Sequence, residues 1–260
     1  MIPNNYITLP TVIGRQWIEE SWTIYKSKAL AFSGYYLFSV IVSLGLSQLG
    51  IWGVVLAFVF DTLISLIFLF YIREVTRKSQ RSFLSCAHQV YDCLPRTIIF
   101  YFYLCAINTF FIAVCAMVSF SFGFHAILEF FETGEFDFSR ILVSLTLFVP
   151  LTAGFLATIS MFLRTARPSV VFDKLSTRES INLSVQATWA NFSPLLVYYS
   201  YLSLLIFVCF ITLGLGIFVI MPVYMIGEYI IWRDMIGVDP TPPTEPMVEE
   251  TSDRESLQSS

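Results

Sequence analysis

The chain has 260 residues and a formal charge of −4, with 56% apolar, 17% aromatic and only 13% charged residues. A soluble domain runs at about 25% charged and about 45–50% apolar, so this chain lacks the polar surface to cover itself in water, and its mean hydropathy of +0.72 assigns it to a bilayer. The acidic balance, with a pI near 5.2, excludes the basic footprint of a nucleic-acid binder, and the low charge fraction excludes a solvated, disordered chain.

Residues 1–28 read as a cytoplasmic N-terminal segment. Trp17, Ile18, Trp22 and Tyr25 recur there at helical spacing while Glu19 and Glu20 lie off the stripe, the pattern of an amphipathic helix resting in the headgroup plane. The same two acids and two tryptophans interrupt what would be the apolar stretch of a cleavable signal peptide. The first span is therefore expected to double as the insertion signal.

A hydrocarbon core about 30 Å thick needs about 20 mostly apolar residues, and six windows meet that length: 29–49, 52–72, 97–119, 141–163, 195–213 and 215–232. The run from Ile98 to Val118 lacks the two-residue alternation of a barrel strand, so the spans read as helices, whose backbone groups bond inside the segment. The fold expected over 29–237 is an all-α, polytopic membrane bundle of six transmembrane helices. A second amphipathic stretch, Phe83, Leu84, Ala87, Val90, Tyr91 and Leu94, precedes span three, and a third, Ile181, Val185, Trp189 and Phe192, precedes span five. The chain then reads as three copies of one unit, an interfacial helix followed by a span out and a span back, in a three-fold parallel helical-hairpin repeat with uneven spacing.

Small residues allow helices to approach where lipid gives no hydrophobic push. Ser39, Ser43 and Ser47 form such a stripe on span one, and Ala153 and Ala157 flank Gly154 on span four. Pro150 and Pro222 are expected to disturb their helices where a neighbour satisfies the freed carbonyl. A tight turn is expected at Leu213–Gly216. After residue 237, four prolines (Pro240, Pro242, Pro243, Pro246) and the acids Glu249, Glu250, Asp253 and Glu255 read as a disordered acidic tail over 238–260.

Lysine and arginine set direction, because positive residues stay cytoplasmic. Arg15, Lys26, Lys28, Arg73, Arg77, Lys78, Arg81, Arg96, Arg164, Arg167, Lys174, Arg178, Arg233 and Arg254 all fall on one side of the six spans. Only Arg140 falls on the other, beside Glu129, Glu132, Glu135 and Asp137. Both termini are expected in the cytoplasm.

Asp61 stands at the middle of span two, where an ionised carboxylate costs about 2.5–3.5 kcal/mol even on the mild insertion scale. No lysine or arginine lies within any span as drawn, and Asn108 sits at matching depth in span three. An Asp61–Asn108 hydrogen bond is the expected compensation, with a neutral structural role and a proton- or ion-handling role both open. Glu228, near the cytoplasmic end of span six, is expected to snorkel or to pair with Arg164 or Arg233, and Arg233 with Asp234 to close that span at the headgroups. His125, Glu129 and Glu132 share a helical face, a spacing open to a divalent ion, yet one histidine and two exposed acids read better as a solvated face, and no metal is assigned.

The five cysteines, Cys86, Cys93, Cys105, Cys115 and Cys209, include no CxxC and none in the outer loop, which points to packing rather than disulfides or zinc. The sequence has no HExxH, no second intramembrane aspartate, no serine–histidine pair at membrane depth and no phosphate-cradling glycine loop. No catalytic residue and no cofactor is expected.

The last third carries Arg167-Pro168-Ser169-Val170-Val171-Phe172-Asp173, then Ser184, Asn191-Phe192-Ser193-Pro194, Gly214-Leu215-Gly216, Pro222 and Tyr229-Ile230-Ile231-Trp232-Arg233-Asp234. This pattern resembles a family of uncharacterised bacterial six-span inner-membrane proteins, with Arg167 where alanine is usual, Trp232 where tyrosine is usual and Glu228 where an apolar residue is usual. The resemblance implies a bacterial inner membrane and no particular activity. In physical terms Pro168 is expected to end the fourth span's helix and Asn191 to cap the fifth. The expected function is a non-catalytic scaffold or auxiliary factor of the envelope, with membrane lipids and a membrane protein as partners; the rival is a small transporter or channel working through Asp61.

Overall fold

A computed structural model describes residues 6–77, 83–133, 138–211 and 214–236, and every regular element in them is an α-helix. In chain order these are α1 (Ile13–Ser27), α2 (Ala29–Ser47), α3 (Gly50–Thr76), α4 (Phe83–Thr133), α5 (Phe138–Leu163), α6 (Ala166–Phe172), α7 (Thr177–Ala190), α8 (Phe192–Ile211) and α9 (Ile217–Ile236). Among the described residues five stretches are long and apolar enough to cross a membrane: Ala29–Ser47, Gly50–Thr76, Cys93–Val118, Phe148–Phe172 and Phe192–Cys209.

The sixth expected span, α9, differs from these five. Glu228, Arg233 and Asp234 crowd its C-terminal half, and twelve of its 20 residues are buried, from Ile220 to Ile236. In α2, by contrast, Phe32 is the one buried residue, and Leu37, Phe38, Ile41 and Leu44 stand exposed. The centre of the core is built from the C-terminal half of α3 (Leu66, Phe68, Leu69, Ile72) against α9 (Ile226, Tyr229, Ile230, Trp232), with Trp17, Phe32 and Tyr198 closing it. A long apolar run is thus read two ways by the fold: α2 turns most of its surface outward, and α9 is the post against which α1, α2, α3, α6 and α8 pack.

α1 is amphipathic as expected, but its stripe is clamped on protein. Gly14, Trp17, Ser21 and Tyr25 are buried on one face, while Trp22 remains 39% exposed. Close approach is possible because position 14 has no side chain: a Cβ there would strike the carbonyl oxygen of Pro194 at the start of α8. The strand of chain before α1 is fastened too, by Ile7 N–H to the Met235 carbonyl at 2.7 Å and by the Asn191 amide, which accepts from Leu9 N–H and donates to the Ile7 carbonyl, both at 2.8 Å. Asn191 therefore does not cap α8 with its side chain; it ties the N-terminal segment to the α7–α8 joint.

The second amphipathic stretch and span three form one continuous helix, α4, with Pro95 inside it. At 1.5 Å per residue its 51 residues extend about 76 Å. The third stretch, α7, starts with a capping box in which the Ser176 hydroxyl accepts from Glu179 N–H and the Glu179 carboxylate accepts from Ser176 N–H. Those hydrogen bonds from Ser176 hold the Glu179 carboxyl below its ordinary range. The buried face of α7 is Ser180, Leu183, Ser184, Ala187 and Thr188; of the expected stripe, Ile181 and Val185 are half-buried, while Trp189 is 65% and Phe192 42% exposed.

Pro222 behaves as the sequence implies. Its missing N–H frees the Phe218 carbonyl one turn earlier, and Ser33 of α2 donates to that oxygen at 2.9 Å. Pro168 does not end a helix: α5 stops at Leu163 and Pro168 lies in the first turn of α6, where a residue without an N–H does least harm. Cys86 and Cys93 are buried in the core, where packing residues are expected. The expected tail, 238–260, lies outside the described residues.

Candidate functional site

Two cavities and one charge cluster contain the polar residues singled out by the sequence. The first cavity, about 440 Å³, lies between α2, α3 and α9, with Asp61 on its wall beside Tyr36, Ser39 and Ser43. Ser43 and Ser39 donate to the same carboxylate oxygen of Asp61, at 2.5 Å and 2.9 Å. The serine stripe is thus more than a smooth contact face: two hydroxyls one turn apart replace water for the carboxylate across the α2–α3 hairpin.

The expected Asp61–Asn108 bond is not made. Asn108 lines the second cavity, about 350 Å³, between α4, α5, α6 and α9, and its side-chain oxygen is buried without a hydrogen-bond partner. Matching depth along two spans does not fix which way each faces, and Asp61 finds its partners in the neighbouring helix of its own hairpin.

Glu228 also projects into the second cavity, and its partner is neither of the two expected arginines. Arg167, in the first turn of α6, grips it with two parallel hydrogen bonds, Nε to Oε1 at 2.8 Å and Nη2 to Oε2 at 2.5 Å. The two side chains are only 13% and 10% exposed. Arg167 Nη1 donates to the Tyr101 hydroxyl at 3.3 Å, and that hydroxyl lies 3.1 Å from Ser65 on α3. Four helices meet at this pair. Of the three departures from the pattern noted in the sequence, two, Arg167 and Glu228, are the two ends of one ion pair.

Arg164 takes a different environment. It sits between α5 and α6 and is 3% exposed. Its Nη2 donates to the Tyr198 hydroxyl at 2.8 Å and to the Tyr224 carbonyl at 3.0 Å. The guanidinium lies over the rings of Tyr198 at 4.5 Å, Tyr224 at 4.6 Å and Tyr199 at 5.4 Å, within reach of cation–π attraction. Gly227 makes room for this cage: a Cβ at that position would collide with the Tyr198 hydroxyl and stand 3.2 Å from Arg164 Nη2. Arg164 Nε and Nη1 are buried without a partner.

The charge cluster joins α1 to the end of α9. Arg233 holds Glu20 through Nη1 and Nη2 at 2.7 and 3.0 Å and Asp234 through Nε at 2.8 Å. Trp17 Nε1 donates to the other oxygen of Asp234 at 2.9 Å. Arg233 and Asp234 pair with each other, and their further partners Glu20 and Trp17 lie more than 200 residues away in sequence, beyond the reach of any local pattern. The expected weak metal face of His125, Glu129 and Glu132 has its side chains outside the described residues. Among the described residues no group of three metal-ligating side chains occurs.

Comparison with known proteins adds no relative: no family model, no curated protein and no solved structure matches the chain.

Proposed function

We propose that the chain is a six-span integral protein of a bacterial inner membrane, with both termini cytoplasmic, that serves as a non-catalytic scaffold or auxiliary factor of the envelope. The observation that carries this reading is the way interior charge is used. Arg167 with Glu228, and Arg233 with Glu20 and Asp234, tie α6 and α1 to α9, so these charges hold helices together. Long apolar faces on α2, α4 and α8 meanwhile stand open, as at Leu44, Phe110 and Phe207, ready for lipid or a membrane partner. The segregation of positive residues supports the orientation, and α9 as a sixth span returns the chain to the side on which it began. The hairpins α2–α3, α4–α5 and α8–α9, each preceded by an amphipathic stretch, support the three-fold parallel repeat, and the C-terminal pattern supports kinship with the bacterial six-span family. Gentle detergent extraction followed by intact-complex mass spectrometry tests the reading: a bound protein partner or retained lipid is expected, and a bare monomer overturns it.

A second reading, a small transporter for protons, cations or solutes, is favoured by one observation, the carboxylate of Asp61 on the wall of the 440 Å³ cavity. It predicts that Asp61→Asn abolishes flux through reconstituted vesicles. Equal proton and cation flux in the variant and the parent removes it.

A further inference from the structure

We propose that the cavity between α4, α5, α6 and α9 is a binding site for a phosphate-bearing anion, with Arg164 as the residue that recognises it. A guanidinium has five N–H donors. Nη2 of Arg164 spends its hydrogens on the Tyr198 hydroxyl and the Tyr224 carbonyl, while Nε and Nη1 are buried and make no hydrogen bond, in a residue that lines the cavity. The three tyrosine rings attract the cation, yet Nε and Nη1 make no hydrogen bond to them. A buried donor left without an acceptor is unfavourable, and a buried charge more so.

The charge count points the same way. Arg164, Arg167 and Glu228 all line this cavity, and both oxygens of Glu228 are already held by Arg167. One positive charge is left without a carboxylate. Asn108, also on the cavity wall, offers a buried oxygen that receives no hydrogen bond. The complement to this set is an anion that also carries a donor, a hydroxyl or ammonium, close to its negative oxygens. Phosphate esters have that constitution, and arginine pairs strongly with phosphate. At about 350 Å³ the cavity lies at the small end of ligand sites, which run from about 300 to 1,000 Å³, so it fits a headgroup-sized species. In the orientation proposed above, Arg164 lies at the cytoplasmic end of its span, the depth of lipid phosphates. The same chemistry is supplied by a phospholipid headgroup or by a soluble phosphate ester.

The test uses the full chain in a phosphate-free maltoside detergent, with the thermal midpoint and the intact-complex mass as readouts. Three probes are titrated: short-chain phosphatidylglycerol, diacylglycerol of the same chain length, and inorganic phosphate. Stabilisation by phosphatidylglycerol but not by the other two identifies a lipid headgroup, and stabilisation by inorganic phosphate identifies a soluble anion. Either outcome supports the site if Arg164→Gln weakens the effective probe by about tenfold or more, the loss of a charge-assisted contact. Asn108→Ala, which removes an oxygen that bonds nothing in the fold, is expected to weaken it severalfold with the unliganded midpoint unchanged, and it carries the test alone if Arg164→Gln does not fold. The proposal is overturned if diacylglycerol acts as well as phosphatidylglycerol, if no probe shifts the parent, or if both variants bind as the parent does. That failure leaves the scaffold reading, which rests on a protein partner or any retained lipid, to its own experiment.

Discussion

Removing the charge of Glu228 is the sharpest perturbation available, because it leaves Arg167 buried with no anion. Both side chains of the pair are nearly closed off, 13% and 10% exposed, and the two bonds of 2.8 and 2.5 Å are parallel. Breaking such a buried pair by removing one partner destabilises by about 3–5 kcal/mol, whereas replacing both partners with apolar residues is often neutral. Glu228→Gln keeps the shape and loses the charge. With about 2–4 °C per kcal/mol for chains of comparable size, its midpoint is expected to fall by roughly 6–20 °C. Arg167→Met is expected to fall similarly, since it strands the carboxylate. The double variant Arg167→Met/Glu228→Leu is expected to recover most of the loss, to within about 1–2 kcal/mol of the parent. Thermal unfolding of the purified chain in detergent, followed by tryptophan fluorescence, reads all four proteins, with Trp232 one turn along α9 and 1% exposed as a local reporter. If the single losses simply add in the double variant, or if Glu228→Gln melts with the parent, the claim that this pair holds α6 to α9 is wrong.

Other positions give equally direct tests. Gly14→Ala forces a methyl against the Pro194 carbonyl and to 3.0 Å from Val197 Cβ, so α1 must lift from α8 at a loss of about 1–3 kcal/mol; Gly34→Ala, with nothing near its new methyl, should melt no lower than the parent. Trp17→Phe keeps the packing of a residue 1% exposed but removes the donor to Asp234, for an expected loss of about 1.5–3 kcal/mol. Adding Asp234→Asn to that background should then cost less than it does alone, and equal costs would refute the coupling. Ser176→Ala removes the cap of α7, worth about 1 kcal/mol, and should speed amide exchange in the first turn of α7. Because the folded-state pKa of Glu179 is lowered by its bonds to Ser176, its contribution is complete above the ordinary carboxylate range and is lost as pH falls through the lowered value. Protection of the first turn of α7 should therefore decline only on acidification, and a decline between neutral and alkaline pH would contradict this origin.

Some of this was legible from local pattern. Helical spans follow from apolar length and from the need to bond every backbone group internally, both properties of a single segment. The Pro222 defect, the α7 helix and the packing role of Cys86 and Cys93 follow from rules that act over one or two turns. Asp61 could be marked as needing compensation, and its partners Ser39 and Ser43 had already been noted as a stripe. The sequence points Asp61 to Asn108 and the fold gives it Ser39 and Ser43, because depth in a bilayer is readable from sequence and rotation about a helix axis is not. Arg164 and Arg167 read in sequence as cytoplasmic loop charges, since a hydropathy window ends where arginines begin; in the structure they turn inward to tyrosines and to Glu228.

Alone, then, the order of residues determined that this chain is helical and apolar enough to cross a membrane several times, because those features are set by composition within windows of about 20 residues. Tertiary structure decided which apolar helix is the core: α2 and α9 are both apolar and about equally long, and α9 is enclosed because α1, α2, α3, α6 and α8 all pack on it. It also decided which charges neutralise one another. Glu20 with Arg233 and Arg167 with Glu228 are brought together across 213 and 61 residues, and ion pairing depends on distance in space, which no local pattern records.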